Sequence, residues 1–203
     1  PMKFFDFDNG IEASPGWSTG GADPTLTTYA FTKNEGSTTS TGTGPSAGVG
    51  GSGPYVYAET SAPRAQGDLF TLAYDGSVCS DIGQGVSTMC FHYHMYGADM
   101  GELRVTNAAG EAVWSLSGDQ GDAWQAASVG VYSASFAFEY KRGAGHRGDA
   151  AVAQVAVSCG AAPPLSPARR ATSAPRRRAR GRWALRRKHF LWREDYGGAD
   201  APT

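Results

Sequence analysis

Residues 133–140 read SASFAFEY, and their pattern decides the fold. Phe136, Phe138 and Tyr140 occupy every second position, with Ala137 and Glu139 between them. Successive side chains of a β-strand point to opposite faces, so large apolar residues at a period of two indicate a strand with one buried face. The segment therefore predicts a β-strand that covers a hydrophobic core with three aromatic rings.

Short segments of the same kind recur along the chain. Each is rich in β-branched or aromatic residues and is bounded by Gly, Asp, Asn or Pro, as is typical of strands. They cover residues 3–7, 26–32, 55–59, 69–74, 86–95, 102–106, 112–116, 124–131 and 150–158. None shows a convincing helical period. The sequence thus predicts an all-β fold, a two-sheet antiparallel sandwich.

A long polar segment, NEGSTTSTGTGPSAGVGGSG, occupies residues 34–53. Long loops are often mobile, and they often carry function. Two strings inside it match known motifs, a nucleophile elbow at Ser46 and a dinucleotide-binding glycine pattern that ends at Gly53. Both motifs require a helix directly after them, whereas Pro54 and a strand-like segment follow here. We therefore expect neither a serine nucleophile nor a bound nucleotide.

Charge divides the chain into two parts. Residues 1–162 contain 7 basic and 16 acidic residues, a formal charge of −9; residues 163–203 contain 11 basic and 3 acidic residues, a formal charge of +8. The second part is rich in Pro and Arg and has no strand or helix period. We predict a β-sandwich domain over residues 1–162 and a disordered basic tail or linker over residues 163–203. A mistranslated reading frame, a membrane-adjacent segment and a nucleic-acid contact stay open as alternatives for the tail.

The sequence gives three indications of context. No apolar run approaches the ~18 residues that span a membrane. Pro1 leads almost directly into a strand-like segment, so we expect the chain to begin inside a longer precursor. Cys79, Cys90 and Cys159 fit no metal-binding spacing, which favours a disulfide or a buried role.

Five segments, in this order, carry a family resemblance: FDFDNG with a following Gly-Trp, GTGPSAGVGGSGPYVYAETSAP, CFHYHMYG, VWSLSGDQGDAW and FAFEYKRGAGHRGDAAVAQVAVSC. Together they resemble the MAM domain, a module of meprins, neuropilins and receptor tyrosine phosphatases of the mu class. The resemblance covers residues 4–160. It implies a jelly-roll sandwich with adhesive or assembly roles in extracellular or cell-surface proteins. It also implies a domain that is not itself an enzyme, although it could accompany one such as a protease.

The resemblance also implies a disulfide. One family disulfide joins a cysteine near the aromatic strand to the last cysteine, which makes Cys90–Cys159 the preferred pair and leaves Cys79 free. Cys79–Cys90 is the alternative. The family's other disulfide has no counterpart, because both of its positions lack cysteine here.

A cation site is a further implication of the family fold. Asp6, Asp8, Glu59 and Asp149 lie near strand ends that this fold brings towards one edge. Calcium takes six to eight oxygen ligands from several chain segments, so these carboxylates are the candidate ligands. The acidic pair usual in the family's closing strand is replaced by VAQV at residues 152–155. No cofactor other than calcium is expected.

Four aromatic residues are expected to fill the space between the sheets: Phe91, Tyr93, Trp114 and Trp124. Phe91 and Tyr93 alternate along one predicted strand, and the two tryptophans flank a glycine-containing turn. Each large ring buries ~150–250 Å², so such a cluster dominates the energetics of a core.

Two further strings have plain explanations. His92 and His94 lie on one face of a predicted strand and could chelate zinc, but polar residues on an outer sheet face are the ordinary interpretation. Arg147, Gly148 and Asp149 spell the integrin-binding tripeptide, and they fall where an exposed turn between the last two strands is expected.

Two functions fit these observations. The leading hypothesis is a non-catalytic extracellular recognition or adhesion module that binds protein partners, including copies of itself. The alternative is a carbohydrate-binding jelly roll appended to an enzyme, with Tyr29, Tyr55, Tyr96 and Tyr132 as sugar platforms. An independent hydrolase would need a nucleophile, a base and an orienting group, and the sequence offers no such set. Nucleic acid is not expected as a partner, and membrane contact is expected only through neighbouring segments of a precursor.

Overall fold

Twelve β-strands form two packed sheets in the computed structural model, which describes residues 1–20 and 28–161. The strands are β1 (Met2–Phe5), β2 (Trp17–Thr19), β3 (Thr28–Ala30), β4 (Thr32–Glu35), β5 (Pro54–Ala58), β6 (Leu69–Tyr74), β7 (Gly85–Met95), β8 (Glu102–Asn107), β9 (Ala112–Ser117), β10 (Gln125–Ser133), β11 (Phe136–Lys141) and β12 (Ala150–Gly160). A short α-helix, α1 (Ser77–Ser80), and a 3-10 turn (Val49–Gly51) complete the described elements. The predicted tail at residues 163–203 lies outside the described residues.

The strand order defines two sheets. Sheet A has the order β10-β7-β12-β5-β4, with β1 beside β12; sheet B has the order β2-β6-β11-β8-β9, with β3 beside β6. Strands pair antiparallel throughout the described residues except for β3, which runs parallel to β6. No helix of the described residues is long and apolar enough to cross a membrane. The all-β, antiparallel jelly-roll sandwich predicted from the sequence is confirmed.

Aromatic rings from both sheets fill the interior. Phe136, Phe138 and Tyr140 of β11 are buried, as their alternation predicted. Phe91 of sheet A meets Phe138 of sheet B at 4.9 Å between ring centroids, with the planes nearly perpendicular. Trp17 of β2 joins the same cluster, 5.7 Å from Phe136. Edge-to-face pairs of this kind contribute ~0.5–1.5 kcal/mol beyond the burial of their area, so they bind the two sheets together.

The expected core aromatics divide into three outcomes. Phe91 and Tyr93 are buried in the interior, as predicted. Trp114 is half-buried and packs against both of them at the side of the core. The interior placement of Trp124 is wrong, because its ring packs with Tyr55 on the opposite face of sheet A. Gln125 points inwards and accepts a hydrogen bond from the Tyr93 hydroxyl at 3.0 Å. Because successive residues of an extended chain point to opposite faces, Trp124, which precedes Gln125, points outwards.

The disulfide joins Cys79 to Cys159, so the predicted Cys90–Cys159 pair and its Cys79–Cys90 alternative are both wrong. The register explains the difference. On β12, Cys159 lies opposite Val86 of β7, whereas Cys90 lies opposite Ala156. Cys90 directly follows the buried Met89 on β7, so its side chain points to the outer face of the sheet. Its thiol is exposed there and forms no disulfide. Helix α1 instead brings the buried Cys79 to the end of β12.

Replacing Cys79 and Cys159 together by serine should lower the free energy of unfolding by ~2–5 kcal/mol, since removal of a native disulfide relaxes the unfolded chain. Urea unfolding followed by tryptophan fluorescence measures the loss. The control is Cys90→Ser, which should change the free energy by less than ~0.5 kcal/mol because the side chain is exposed. A Cys90–Cys159 peptide in a non-reduced digest would contradict this pairing.

Candidate functional site

The loop between β4 and β5, residues 36–53, folds over the outer face of sheet A. Its base is closed where Glu35 pairs with Pro54. Two hydrogen bonds hold its middle, from the Thr38 amide to the Pro45 carbonyl at 3.2 Å and from the Gly44 amide to the Tyr96 carbonyl at 3.1 Å. The sequence predicted a mobile loop. The structure shows one that is anchored to the sheet.

Thr43 and Gly44 form the anchor itself. The Thr43 hydroxyl donates to the Tyr96 carbonyl at 3.0 Å and accepts from the Asp149 amide at 2.8 Å. Gly44 has a φ of +65°, and a Cβ at this position would lie only 2.7 Å from the Thr38 hydroxyl oxygen. Glycine alone satisfies both the backbone angle and the close approach. The local sequence therefore fixes where the loop meets the sheet.

An aromatic cluster on the outer face of sheet A supports the other end of the loop. Trp124 lies 5.7 Å from Tyr55 and 5.5 Å from His94, measured between ring centroids. Its indole N–H donates to the Ala47 carbonyl at 2.8 Å, which fastens the loop to the start of β10. Burial raises the pKa of Tyr55 to about 12, so its hydroxyl stays protonated and donates to the Gly36 carbonyl at 2.8 Å.

Two adjoining cavities open between the loop and the sheet, and we call them together the loop groove. The first has a volume of about 230 Å³ and includes Tyr96 in its wall. The second has a volume of about 180 Å³ and is bounded by His94 and Trp124. Both share Pro45, Ser46 and Asp122. The remaining lining residues are almost all Ser, Thr, Gly or Ala of the loop.

His94 and Asp122 are the ionisable pair of the loop groove. His94 is 2% exposed, and its Nε2 lies 3.2 Å from Asp122 Oδ1. Its Nδ1 is buried and has no hydrogen-bond partner among the described residues. Burial lowers the pKa of His94, although Asp122 and then Asp119 act in the opposite direction. The imidazole is therefore neutral at pH 7. The sequence interpretation of His94 as an ordinary surface residue missed its burial.

Asp149 is the most deeply buried carboxylate described. Its Oδ1 accepts hydrogen bonds from the Thr60 amide at 2.9 Å and the Thr60 hydroxyl at 2.8 Å. Its Oδ2 is buried without a hydrogen-bond partner among the described residues, and burial raises the pKa of this side chain. Asp149 thus links the connection between β11 and β12 to the loop after β5. It is not the exposed end of an integrin-binding turn.

The four candidate calcium ligands do not form one ligand set. Asp6 accepts a hydrogen bond from the Asp8 amide at 3.0 Å within its own turn. Glu59 accepts from the Ser61 amide at 2.8 Å and pairs with a neighbouring arginine, while Asp149 is held by Thr60. Among residues 1–20 and 28–161, no group of three or more His, Cys, Asp or Glu side chains is placed to hold a metal ion. Calcium binding stays an untested prediction.

The four tyrosines expected to bind sugars do not share a surface. Tyr55 is fully buried beneath the loop, and Tyr96 lines the larger cavity of the loop groove. Tyr29 is partly covered by the Arg64 guanidinium, 5.2 Å from its ring centroid. Tyr132, at the far end of β10, is 56% exposed. A flat platform of stacked rings is therefore not formed by these residues.

Comparison with known proteins gives a family match. The family model described as MAM domain, meprin/A5/mu, matches residues 7–161. MAM domain-containing glycosylphosphatidylinositol anchor protein 2 of Mus musculus is 37% identical over 134 residues, and protein 1 of Gallus gallus is 36% identical over 138 residues. These matches cover 58% and 62% of this chain. The chain spans only 14% of the length of either relative.

Solved structures support the architecture. The K1 cleaved adhesin domain of Lys-gingipain from Porphyromonas gingivalis W83 superposes with a TM-score of 0.52. The K2 cleaved adhesin domain of Lys-gingipain superposes with a TM-score of 0.51. They cover 79% and 78% of this chain and 99% of each adhesin domain. Sequence identity is 13% in both cases, so the likeness is one of fold.

The buried His94 should make stability depend on pH. Folding lowers the pKa of His94. As the pH falls below ~6.5, the unfolded chain therefore binds a proton at this side chain more readily than the folded chain does. The free energy of unfolding decreases over that range. One such group changes the free energy of unfolding by at most ~1.4 kcal/mol per pH unit. Urea unfolding between about pH 8 and pH 5 should show a shallower slope in His94→Gln. His92→Gln is the matched control and should keep the original slope; equal slopes in all three proteins would contradict the assignment.

Proposed function

The chain belongs to the MAM domain family, and on that premise we propose that it binds a protein partner through the outer face of sheet A. It is an extracellular or cell-surface module of adhesion type, in agreement with its glycosylphosphatidylinositol-anchored relatives and its disulfide. We propose that the binding partner is a protein, which includes a second copy of this chain.

The proposal is carried by an uncharged row of residues across the outer face of sheet A. Phe4 of β1 lies opposite Ala156 of β12, Ala156 lies opposite Cys90 of β7, and Cys90 lies opposite Ser128 of β10. Residues directly opposite in neighbouring strands place their side chains on the same face. Phe4 is 52% exposed, so the row presents apolar surface to solvent.

A second row extends this surface. Met2 lies opposite Ser158, Ser158 opposite Thr88, and Thr88 opposite Gly130, and Met2 is 73% exposed. Neither row contains a charged residue, although residues 1–162 carry a formal charge of −9. Depletion of charge together with exposed apolar side chains is characteristic of the centre of protein–protein interfaces. We call the two rows the uncharged patch.

Carbohydrate binding has weaker support as the alternative. The stacking of sugars needs exposed aromatic rings, and the four candidate tyrosines are buried, covered or far apart. We propose that the module is non-catalytic, which is also the role predicted from the sequence.

Placing a negative charge in the uncharged patch should weaken protein binding. In Ser128→Glu, a buried unpaired charge would oppose contact with a partner, and we expect at least a tenfold loss of affinity, which equals ~1.4 kcal/mol. Two measurements apply: sedimentation velocity of the full chain over a range of concentrations tests self-association, and flow cytometry of the labelled chain on cells tests other surface partners.

The matched control is Ser115→Glu, the same substitution at an exposed position on β9 of sheet B. It should leave both kinds of binding unchanged. Equal losses in the two variants would indicate a general effect of charge and would contradict the proposed surface. A full chain that stays monomeric at every concentration would remove self-association from the proposal.

A further inference from the structure

Each cavity of the loop groove is sized for one side chain. Its two cavities have volumes of about 230 Å³ and 180 Å³. Sites for drug-sized ligands usually measure ~300–1,000 Å³, so each cavity is smaller than such a site. The groove lies on the same outer face of sheet A as the uncharged patch, beside His94 of β7. It can therefore receive an anchoring residue of a partner that docks on that face.

The charge of the groove is negative. Asp122 belongs to the walls of both cavities, and its side chain is 59% exposed. Among the residues that the structure describes, those lining the groove include neither arginine nor lysine. Arg147 approaches one end at Gly42, but it pairs with Asp99 at 3.5 Å. The neutral His94 leaves the charge of Asp122 uncompensated.

His94 also directs the carboxylate. Its Nε2 lies 3.2 Å from Asp122 Oδ1, and its ring is held between the loop and the sheet, 5.5 Å from Trp124. One oxygen of Asp122 is thereby engaged, and no hydrogen bond to the other oxygen is formed within the described residues. His94 is thus a positioning residue for a carboxylate that can accept from an added donor.

Aromatic residues share the walls of the groove with this carboxylate. Trp124 forms a wall of the smaller cavity, and its indole is fixed by the hydrogen bond to the Ala47 carbonyl. Tyr96 lines the larger cavity. The face of such a ring attracts a cation that lies within ~6 Å of it, and Trp is the best of the aromatic residues in this respect. A carboxylate in a groove that is lined by aromatic rings suits a cation better than an anion or a neutral group.

We infer that the loop groove binds one arginine or lysine side chain of a protein partner. This inference deepens the function proposed above and depends on it. The ammonium or guanidinium group pairs with the Asp122 carboxylate, and its aliphatic stem lies along Trp124. The uncharged patch provides the area of contact, while the groove selects a partner with a basic residue at the matching place.

The experiment titrates the full chain with a capped glycine-arginine-glycine peptide and follows the Trp124 indole N–H signal by NMR. The comparison peptide replaces arginine by citrulline, which has nearly the same shape and no charge. We expect the arginine peptide to bind at least tenfold more tightly and to weaken as salt rises. Equal binding of the two peptides overturns the inference, as does preferential binding of a neutral methyl glycoside.

Asp122→Asn should lower the affinity for the arginine peptide at least tenfold. Glu12→Gln removes the same charge from an exposed position outside the groove. It should change the affinity for the arginine peptide by less than twofold. Equal losses in both variants assign the effect to net charge and overturn the inference. Asp122→Asn should weaken cell binding as well as peptide binding. If it removes peptide binding and leaves cell binding unchanged, the partner does not use the groove and the inference is overturned. If the uncharged patch functions but neither peptide binds, the inference fails and the proposed function stands.

The chain also contains basic residues of its own at positions 163–203, which share the chemistry of the inferred ligand. A full-length variant with Arg176, Arg177, Arg178 and Arg180 replaced by serine distinguishes the two sources. Equal peptide affinity in this variant supports a partner as the source. An affinity that rises at least tenfold shows that the chain supplies its own occupant and overturns the assignment to a partner.

Discussion

The pairing of β7 with β12 is the constraint on which the rest of the structure depends. These two eleven-residue strands lie at the centre of sheet A, and β12 also pairs with β1 and β5. Their register places Phe91 in the aromatic interior and the adjacent Cys90 on the outer face. A shift by one residue would exchange the two faces and place Cys90 and His94 in the core. The disulfide and the loop groove both follow from this register.

Sheet A is unusual in having apolar residues buried on both faces over part of its area. Val152 of β12 contributes to the interior between the sheets, whereas the next residue, Ala153, lies in the outer cluster with Tyr55 and Trp124. The loop after β4 covers this outer cluster. Towards the C-terminal end of β12, no described segment covers the outer face of sheet A, and Phe4 is exposed there. One sheet therefore presents a structured groove and an uncharged patch side by side.

The sequence was sufficient for the fold class because periodicity reports burial directly. The alternation of Phe136, Phe138 and Tyr140 predicted strand β11 and its buried face. The same reasoning failed for Trp124, since a period of two distinguishes two faces without showing which one meets the other sheet. Trp17 lies in the middle of the aromatic core, although the sequence shows it only as part of a family-like Gly-Trp segment. Its role depends on contacts between distant segments.

The disulfide and the candidate site were harder to predict for a related reason. Irregularities in pairing, such as the register shift between Ala153 and Ala156, change which residues of β7 and β12 lie opposite each other. Helix α1, which carries Cys79, is a single turn with no period to detect. Asp149 was expected in an exposed turn, and its burial depends on Thr60 and Thr43 from other parts of the chain. Such features are properties of the assembled sandwich.

The closed base of the β4–β5 loop has a consequence for how the domain can diversify. Because Glu35 and Pro54 are paired in a hairpin, the strands β4 and β5 hold the ends of the loop together. Doubling the length of a flexible loop costs only ~0.6 kcal/mol in closure entropy, a small part of the stability of a domain. Insertions and deletions between Gly44 and Pro54 can therefore reshape the groove while the sandwich stays intact. The fold thus separates the residues that hold the sandwich together from a segment whose length can change without disturbing them.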